Sequence, residues 1–324
     1  MRVVFSLWIV GACTQPDPGS GADPVAPLVC GPEPVASPVV VATETVNGSG
    51  FVWSAPASPR GLVVMFHGGS GQKEDFMTER PEAVLVSHGL LQAGYAIAAL
   101  DSVAHLDPKA DKTQWSEEAG PDNPDVVNVL TMVDRLSDPD DLAAVPTDSP
   151  LLLVGASNGG SMASRVVQNT DVAAVAIYVS NAAGFYEPGA VFAPMLLIPG
   201  ENDPGKALVS NLDLADMAHQ AGVEAVYLPN QQQAIQPGRF TRIDGVDCDQ
   251  SLALWQALDG GGALDEAGHL LSDPEDRAWE SLLPEGEDFD TRQVSDELVE
   301  VYAGHTITSD LNPDLLAFFD LYTL

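Results

Sequence analysis

Three residues of this 324-residue chain, Ser157, Asp203 and His305, have the types and the order needed to attack a carbonyl carbon. A serine hydroxyl is a weak nucleophile at neutral pH until a hydrogen-bonded imidazole takes its proton, and the imidazole needs a carboxylate to hold its tautomer and stabilise the imidazolium. Ser157 stands in Gly155-Ala156-Ser157-Asn158-Gly159-Gly160, at the end of the apolar run LLLVGA (151–156). A strand that passes through one small hydroxyl residue between glycines and goes straight into a helix makes a sharp turn that lifts the hydroxyl above the sheet. The helix N-terminus then favours the negative charge that develops during attack. The rival reading, a structural Gly-Ser turn, asks nothing of the rest of the chain. The nucleophile reading requires an acid after a later strand and a histidine later still.

Both requirements are met. The run MLLIP leads into Gly200-Glu201-Asn202-Asp203-Pro204, where Asp203 is the first candidate for the acid and Glu201 the alternative. Of the six histidines, His88 and His219 fall in helical stretches, His105 precedes the serine, and His269 lies in an irregular segment. His305, just after LVEVYAG, is left as the base. His67 opens HGGSG after the run GLVVMF, and glycines at that place let backbone amides point at a developing oxyanion. The expected donors are Gly68 or Gly69 together with Asn158. A phosphate-binding loop is the competing reading of Gly71-Gln72-Lys73, but Glu74 stands where that loop needs a hydroxyl residue.

These residues need a scaffold. PVVVATETV (38–46) and GFVWSAP (50–56) flank the turn signal NGSG and predict a hairpin. From residue 61 onward, short runs apolar on both faces (61–66, 95–100, 151–156, 172–179, 195–199, 223–228) alternate with helical stretches at 79–92, 125–136, 159–169 and 206–221. That alternation predicts an α/β fold, with a mostly parallel central sheet flanked by helices and the site beyond the carboxyl ends of the strands. Residues 231–292 break the pattern and read as a small helical insertion before the last strand, which LVEVYAGH (298–305) is expected to supply ahead of a final helix, PDLLAFFDLY.

With HGGSG, GASNGG, GENDP and His305 in this order, the chain resembles the α/β-hydrolase family, in particular exported esterases of the dienelactone-hydrolase, polyester-depolymerase and feruloyl-esterase type. The resemblance spans roughly residues 38–230 and 294–324 and leaves the insertion unmatched. It implies hydrolysis of an ester, thioester, amide or lactone through an acyl-enzyme intermediate, without a cofactor. The expected activity is carboxylic-ester hydrolysis on a small-molecule or polymeric substrate. Amide or peptide hydrolysis by the same triad is the alternative within enzymes, and a non-catalytic surface or binding protein on this scaffold the alternative outside them.

The 47 acidic against 13 basic residues give a formal charge of -34, which repels nucleic acid. Residues 1–13, MRVVFSLWIVGAC, are too short an apolar run for a membrane span and read as an export signal. Its end, VGAC, resembles a lipobox, which makes Cys13 a candidate for lipidation and the chain either lipid-anchored to a bacterial envelope or secreted. Residues 14–34 are a Pro/Gly-rich tether to a domain covering 35–324. Cys30 and Cys248 are left either as a disulfide or as two free thiols. Asp244, Asp247 and Asp249 have a spacing that could hold calcium but do not match the EF-hand loop pattern and read as a solvated acidic stretch, and there is no HExxH zinc motif.

Overall fold

The computed structural model describes residues 41–186, 189–205, 207–284 and 289–323. The export signal, the tether, Cys13 and Cys30 lie outside the described residues, so neither lipidation nor the Cys30–Cys248 pairing is addressed by it. Strands β1 (Ala42–Val46) and β2 (Ser49–Ser54) form the expected hairpin. Asn47 and Gly48 at its tip have φ of 49° and 90°, the two left-handed residues that a tight right-twisting hairpin requires.

The hairpin joins an eight-stranded sheet through β2, which runs antiparallel to β4 (Ala96–Leu100). The other strands are β3 (Leu62–Phe66), β5 (Leu151–Ala156), β6 (Ala174–Tyr178), β7 (Met195–Ile198) and β8 (Ala225–Tyr227). From β4 onward all pairings are parallel, and the sheet order is β1-β2-β4-β3-β5-β6-β7-β8. Alternate residues of β3 show why its sequence is continuously apolar. Leu62, Val64 and Phe66 face one core and Val63 and Met65 the other, so both faces are covered. One face carries α2 (Pro124–Ser137), α3 (Asn158–Val167) and α4 (Ala207–Gln220); the other carries α1 (Pro81–Gln92) and α7 (Asn312–Asp320).

The insertion builds a third core of its own. Helix α5 (Cys248–Gly260) contributes Leu254 and Leu258, which pack with Phe240, Trp279 and the inner face of α6 (Thr291–Val301). The acidic stretch around Cys248 has a local structural use, since Asp247 caps α5 by accepting the amide of Gln250.

One expectation is overturned. LVEVYAGH is not a strand: residues up to Val301 form the end of α6, and among the described residues no strand follows β8. The insertion therefore lies between β8 and α6 rather than before a last strand. Val294, Leu298 and Val301 recur at i, i+4 and i+7 and share one helix face in the third core. Asp290 starts the helix by accepting the amides of Arg292 and Gln293. Glu300 gives the segment its alternating look, but it is buried in an ion-pair network and does not face solvent as the outer residue of a strand would.

Candidate active site

Ser157 has φ 54° and ψ -121°, a backbone conformation that costs a non-glycine residue about 1–3 kcal/mol. Its amide donates to the Tyr178 carbonyl at 2.9 Å, which ties the turn to the end of β6. The turn also depends on close packing behind it. A Cβ at Gly159 would lie 2.1 Å from the Phe66 carbonyl oxygen, so a side chain there would push α3 off β3.

His305 reaches this serine from the loop after α6. Its Nε2 is 2.7 Å from Ser157 Oγ, and its Nδ1 is 3.0 Å from Asp203 Oδ1. The carboxylate can only accept, so Nδ1 carries the proton and Nε2 is left to receive the hydroxyl proton. Asp203 also accepts the amide of Gly205 at 2.8 Å, and its side chain is fully buried. The hydrogen bond to Asp203 holds the His305 pKa above the usual imidazole value; burial opposes it, and the charges of Asp203 and of Glu275 in the insertion add to it.

Asp203 and His305 come together because two loops are laced to each other. The amide of Asn202 donates to the Ala303 carbonyl at 3.0 Å and its side-chain amide to that of Tyr302 at 2.8 Å. Gly200 makes this approach possible, since a Cβ there would lie 2.4 Å from the carbonyl oxygens of Ala303 and Gly304. Glu201, the alternative acid, is exposed and accepts the amide of Gln232, so it takes no part in the relay.

The glycine loop after β3 forms the opposite wall. A Cβ on Gly68 would be 3.5 Å from that of Ser157, whereas one on Gly69 would face Gln114. Asn158 follows Ser157 at the start of α3, and its side-chain oxygen accepts the Trp115 amide at 2.7 Å. The cleft between these walls has a volume of about 150 Å³ and is lined by Gly68, Phe76, Ala83, Val179, His305 and Ile307, among others.

Several residues that hold this site carried no motif. The Trp115 indole donates to the His67 carbonyl at 2.8 Å and its ring packs against the His67 imidazole. From the insertion, the buried Arg239 donates to Glu297 at 2.6 Å and Asp310 at 2.9 Å, and also reaches Glu82 and Glu300. Arg242 adds bonds of 2.6 Å to Glu82 and Asp310. Thr308, Ser309 and Asp310 all join this network, so it holds the segment that carries His305. Two arginines close together in PGRFTR, in a chain with only 13 basic residues, were the available signal. Other aromatic residues serve packing: Tyr186 stacks on Phe192, and the indoles of Trp255 and Trp279 donate to the carbonyls of Ile235 and Pro274.

The sheet order, with a serine turn after β5, an acid after β7 and a histidine before the last helix, defines an α/β-hydrolase fold. No protein-family model matches the sequence, and no curated protein does. Among solved structures the chain is similar to MGS-M1, an alpha/beta hydrolase enzyme from a Medee basin deep-sea metagenome library, at 15% identity over 69% of this chain and 96% of that one, with a TM-score of 0.45. It is also similar to the carboxylesterase Cest-2923 from Lactobacillus plantarum WCFS1, at 12% identity over 68% and 98% of the two chains, TM-score 0.46. Esterase B from Lactobacillus Rhamnosis (HN001) overlaps at 16% identity over 61% and 76%, TM-score 0.43. The fold assignment stands on the strand order, and the functional reading on the site.

Proposed function

We propose that the chain is a serine hydrolase that cleaves carboxylic esters through an acyl-enzyme intermediate, with Ser157 as nucleophile, His305 as general base and then acid, and Asp203 as the group that orients the imidazole. The observation that carries this reading is the unbroken relay from Ser157 Oγ through His305 to the buried Asp203, with separations of 2.7 and 3.0 Å. As Oγ attacks the carbonyl carbon its proton passes to Nε2, and the imidazolium later returns that proton to the leaving alkoxide. Water repeats the sequence to release the acid. The amides of Gly68 and Asn158 are the donors for the tetrahedral oxyanion, with Gly69 the alternative in the loop; one such donor is worth about 10²–10³ in kcat.

The cleft of about 150 Å³ is smaller than the roughly 300–1,000 Å³ of sites for drug-sized ligands, which supports a short acyl group. Ester cleavage is preferred to amide cleavage because an alkoxide leaves more readily than an amine, which needs firmer protonation, and an exported esterase of the dienelactone-hydrolase, depolymerase or feruloyl-esterase type, on the motifs HGGSG and GASNGG, is the finer form of the proposal. Export through residues 1–13, either to a lipid anchor on Cys13 or as a secreted protein, belongs to the same proposal. Turnover of p-nitrophenyl acetate and butyrate by wild type and Ser157→Ala tests the reading. Turnover by the wild type that the variant lacks supports it; equal turnover by the two would reject Ser157 as the nucleophile.

A further inference from the structure

Beside the His67-Gly68-Gly69 turn, three side chains converge that the proposed reaction does not use. His67 comes from the end of β3, Asp101 from the end of β4, and His105 from the short helical turn Val103–Leu106. One ligand atom from each lies within 4.8 Å of the other two.

The hydrogen bonds assign the two imidazoles. His67 is 2% exposed, and its Nδ1 lies 2.8 Å from the Gly68 carbonyl oxygen, which only accepts, so Nδ1 carries the proton. Its Nε2 then presents a lone pair, buried and without a hydrogen-bond partner among the described residues. A buried polar atom left in this state calls for an explanation. His105 Nδ1 faces the hydroxyl of Ser102 at 3.1 Å and the carbonyl of the same residue at 3.2 Å. Its Nε2 is turned toward two oxygens, the Gly71 carbonyl at 3.1 Å and Asp101 Oδ1 at 3.7 Å. A proton or a cation must sit between such atoms.

His67 thus holds Nδ1–H on a backbone carbonyl and leaves Nε2 for the shared space, the outer-shell arrangement of metal-ligating imidazoles, and the Ser102 carbonyl offers His105 Nδ1 the same arrangement once a cation takes the place of the proton on its Nε2. We propose that His67, Asp101 and His105 form a binding site for a divalent transition-metal ion of the zinc type, ligated by the two Nε2 atoms and an Asp101 oxygen. Two imidazoles and one carboxylate suit zinc or cobalt, whereas calcium and magnesium need more oxygen ligands. Three protein ligands leave a further position for water. Lys73 works against a cation here, with Nζ 2.7 Å from Asp101 Oδ2, but it is also paired with Glu74 at 2.8 Å and so shares its charge between two carboxylates. Asp101 Oδ1 accepts only the Lys73 amide, at 3.0 Å, and keeps a lone pair for the ion. The other convergent acidic group, Glu82, Glu300 and Asp310, is already filled by the guanidinium groups of Arg239 and Arg242. Metal at the His67 site displaces the proton from His105 Nε2 and ties the ends of β3 and β4 together beside Gly68.

The test uses the tag-free full chain, stripped by a chelating resin, in enough salt to screen its charge of -34. Co²⁺ is titrated while its visible ligand-field absorption is followed, Zn²⁺ binding is measured by calorimetry, and Ca²⁺ is the competitor. We expect one equivalent of Co²⁺ to bind with nitrogen-ligand absorption that Zn²⁺ displaces and Ca²⁺ does not. His105→Asn, at a partly exposed position, should weaken Zn²⁺ by more than the roughly 10–100-fold that an outer-shell loss costs. Circular dichroism checks that this variant is folded, and Asp101→Asn provides a second one. Zn²⁺ binding no tighter than Ca²⁺ binding, or a cobalt spectrum unchanged in both variants, would overturn the site. None of these readouts depends on hydrolytic activity.

Discussion

Arg239→Met removes one cation from among four carboxylates and should both destabilise the fold and slow the reaction. The Arg239 side chain is 7% exposed and contacts Glu82, Glu297, Glu300 and Asp310, the first three themselves buried. Removing one partner of a buried ion pair costs about 3–5 kcal/mol because the remaining charge is left without compensation. For a domain of this size that corresponds to a Tm lower by roughly 6–20 °C. The loss should depend on pH. Burial, more than any neighbour, raises the Glu297 pKa well above the carboxylate range and that of Glu300 to about 7, while Arg239 pulls both down. A carboxyl group whose folded pKa is raised binds its proton more tightly when folded. Its contribution is therefore favourable below the ordinary value of 4.5 and is lost as pH rises toward and through 7. Without Arg239 both values rise further, so the variant should lose stability more steeply with increasing pH than wild type. The same network holds Thr308, Ser309 and Asp310, and a displacement of about 1 Å in a reacting group can cost roughly 100-fold in rate. Thermal melts across pH, with kcat and KM for a p-nitrophenyl ester on the folded fraction, measure both effects. The loss should fall on kcat. A variant that melts within a few degrees of wild type at every pH and keeps its kcat would refute the reasoning.

Further outcomes are expected at the relay. Asp203→Asn should lower kcat by about 10⁴ with little change in KM, because the imidazole loses the acceptor that fixes its tautomer; steady-state kinetics that show less than a tenfold loss would remove Asp203 from the relay. The acid limb of kcat/KM should lie above the ordinary imidazole pKa, since the Asp203 hydrogen bond and the charges of Asp203 and Glu275 favour the imidazolium. Glu275→Gln should move that limb to lower pH, and a limb that stays in place or rises contradicts a charge effect of the insertion on His305. The Asp203–His305 pair also stabilises the folded state below the ordinary imidazole pKa, and this contribution fades as pH rises through the folded value.

The parts legible in the sequence were those where local chemistry leaves little choice. Continuously apolar runs of strand length marked β3 to β7 because both faces of those strands are buried. The glycines around Ser157 were legible because α3 crosses so close to β3 that no side chain fits at Gly159. The segment LVEVY misled because its alternation took Glu300 for a solvent-facing residue, when a distant arginine pairs with it in the interior. Such a pairing spans 61 residues and has no local signature. The lacing of Asn202 onto the 302–303 backbone was hidden for the same reason, although its outcome, the meeting of Asp203 with His305, followed from their order in the chain. In the loop after β3, the sequence did not separate Gly68 from Gly69 as candidate donors; their surroundings differ, with Gly68 against Ser157 and Gly69 beside Gln114.

The most direct test of the central claim is intact-mass and peptide-mapping analysis of the purified protein after reaction with a fluorophosphonate serine-hydrolase probe, alongside His305→Ala and Ser157→Ala. A relay with Oγ 2.7 Å from Nε2 should give a single adduct on the peptide containing Ser157, strongly slowed in His305→Ala and absent in Ser157→Ala. A folded wild-type protein that takes up no probe, or takes it up elsewhere, would contradict an activated Ser157.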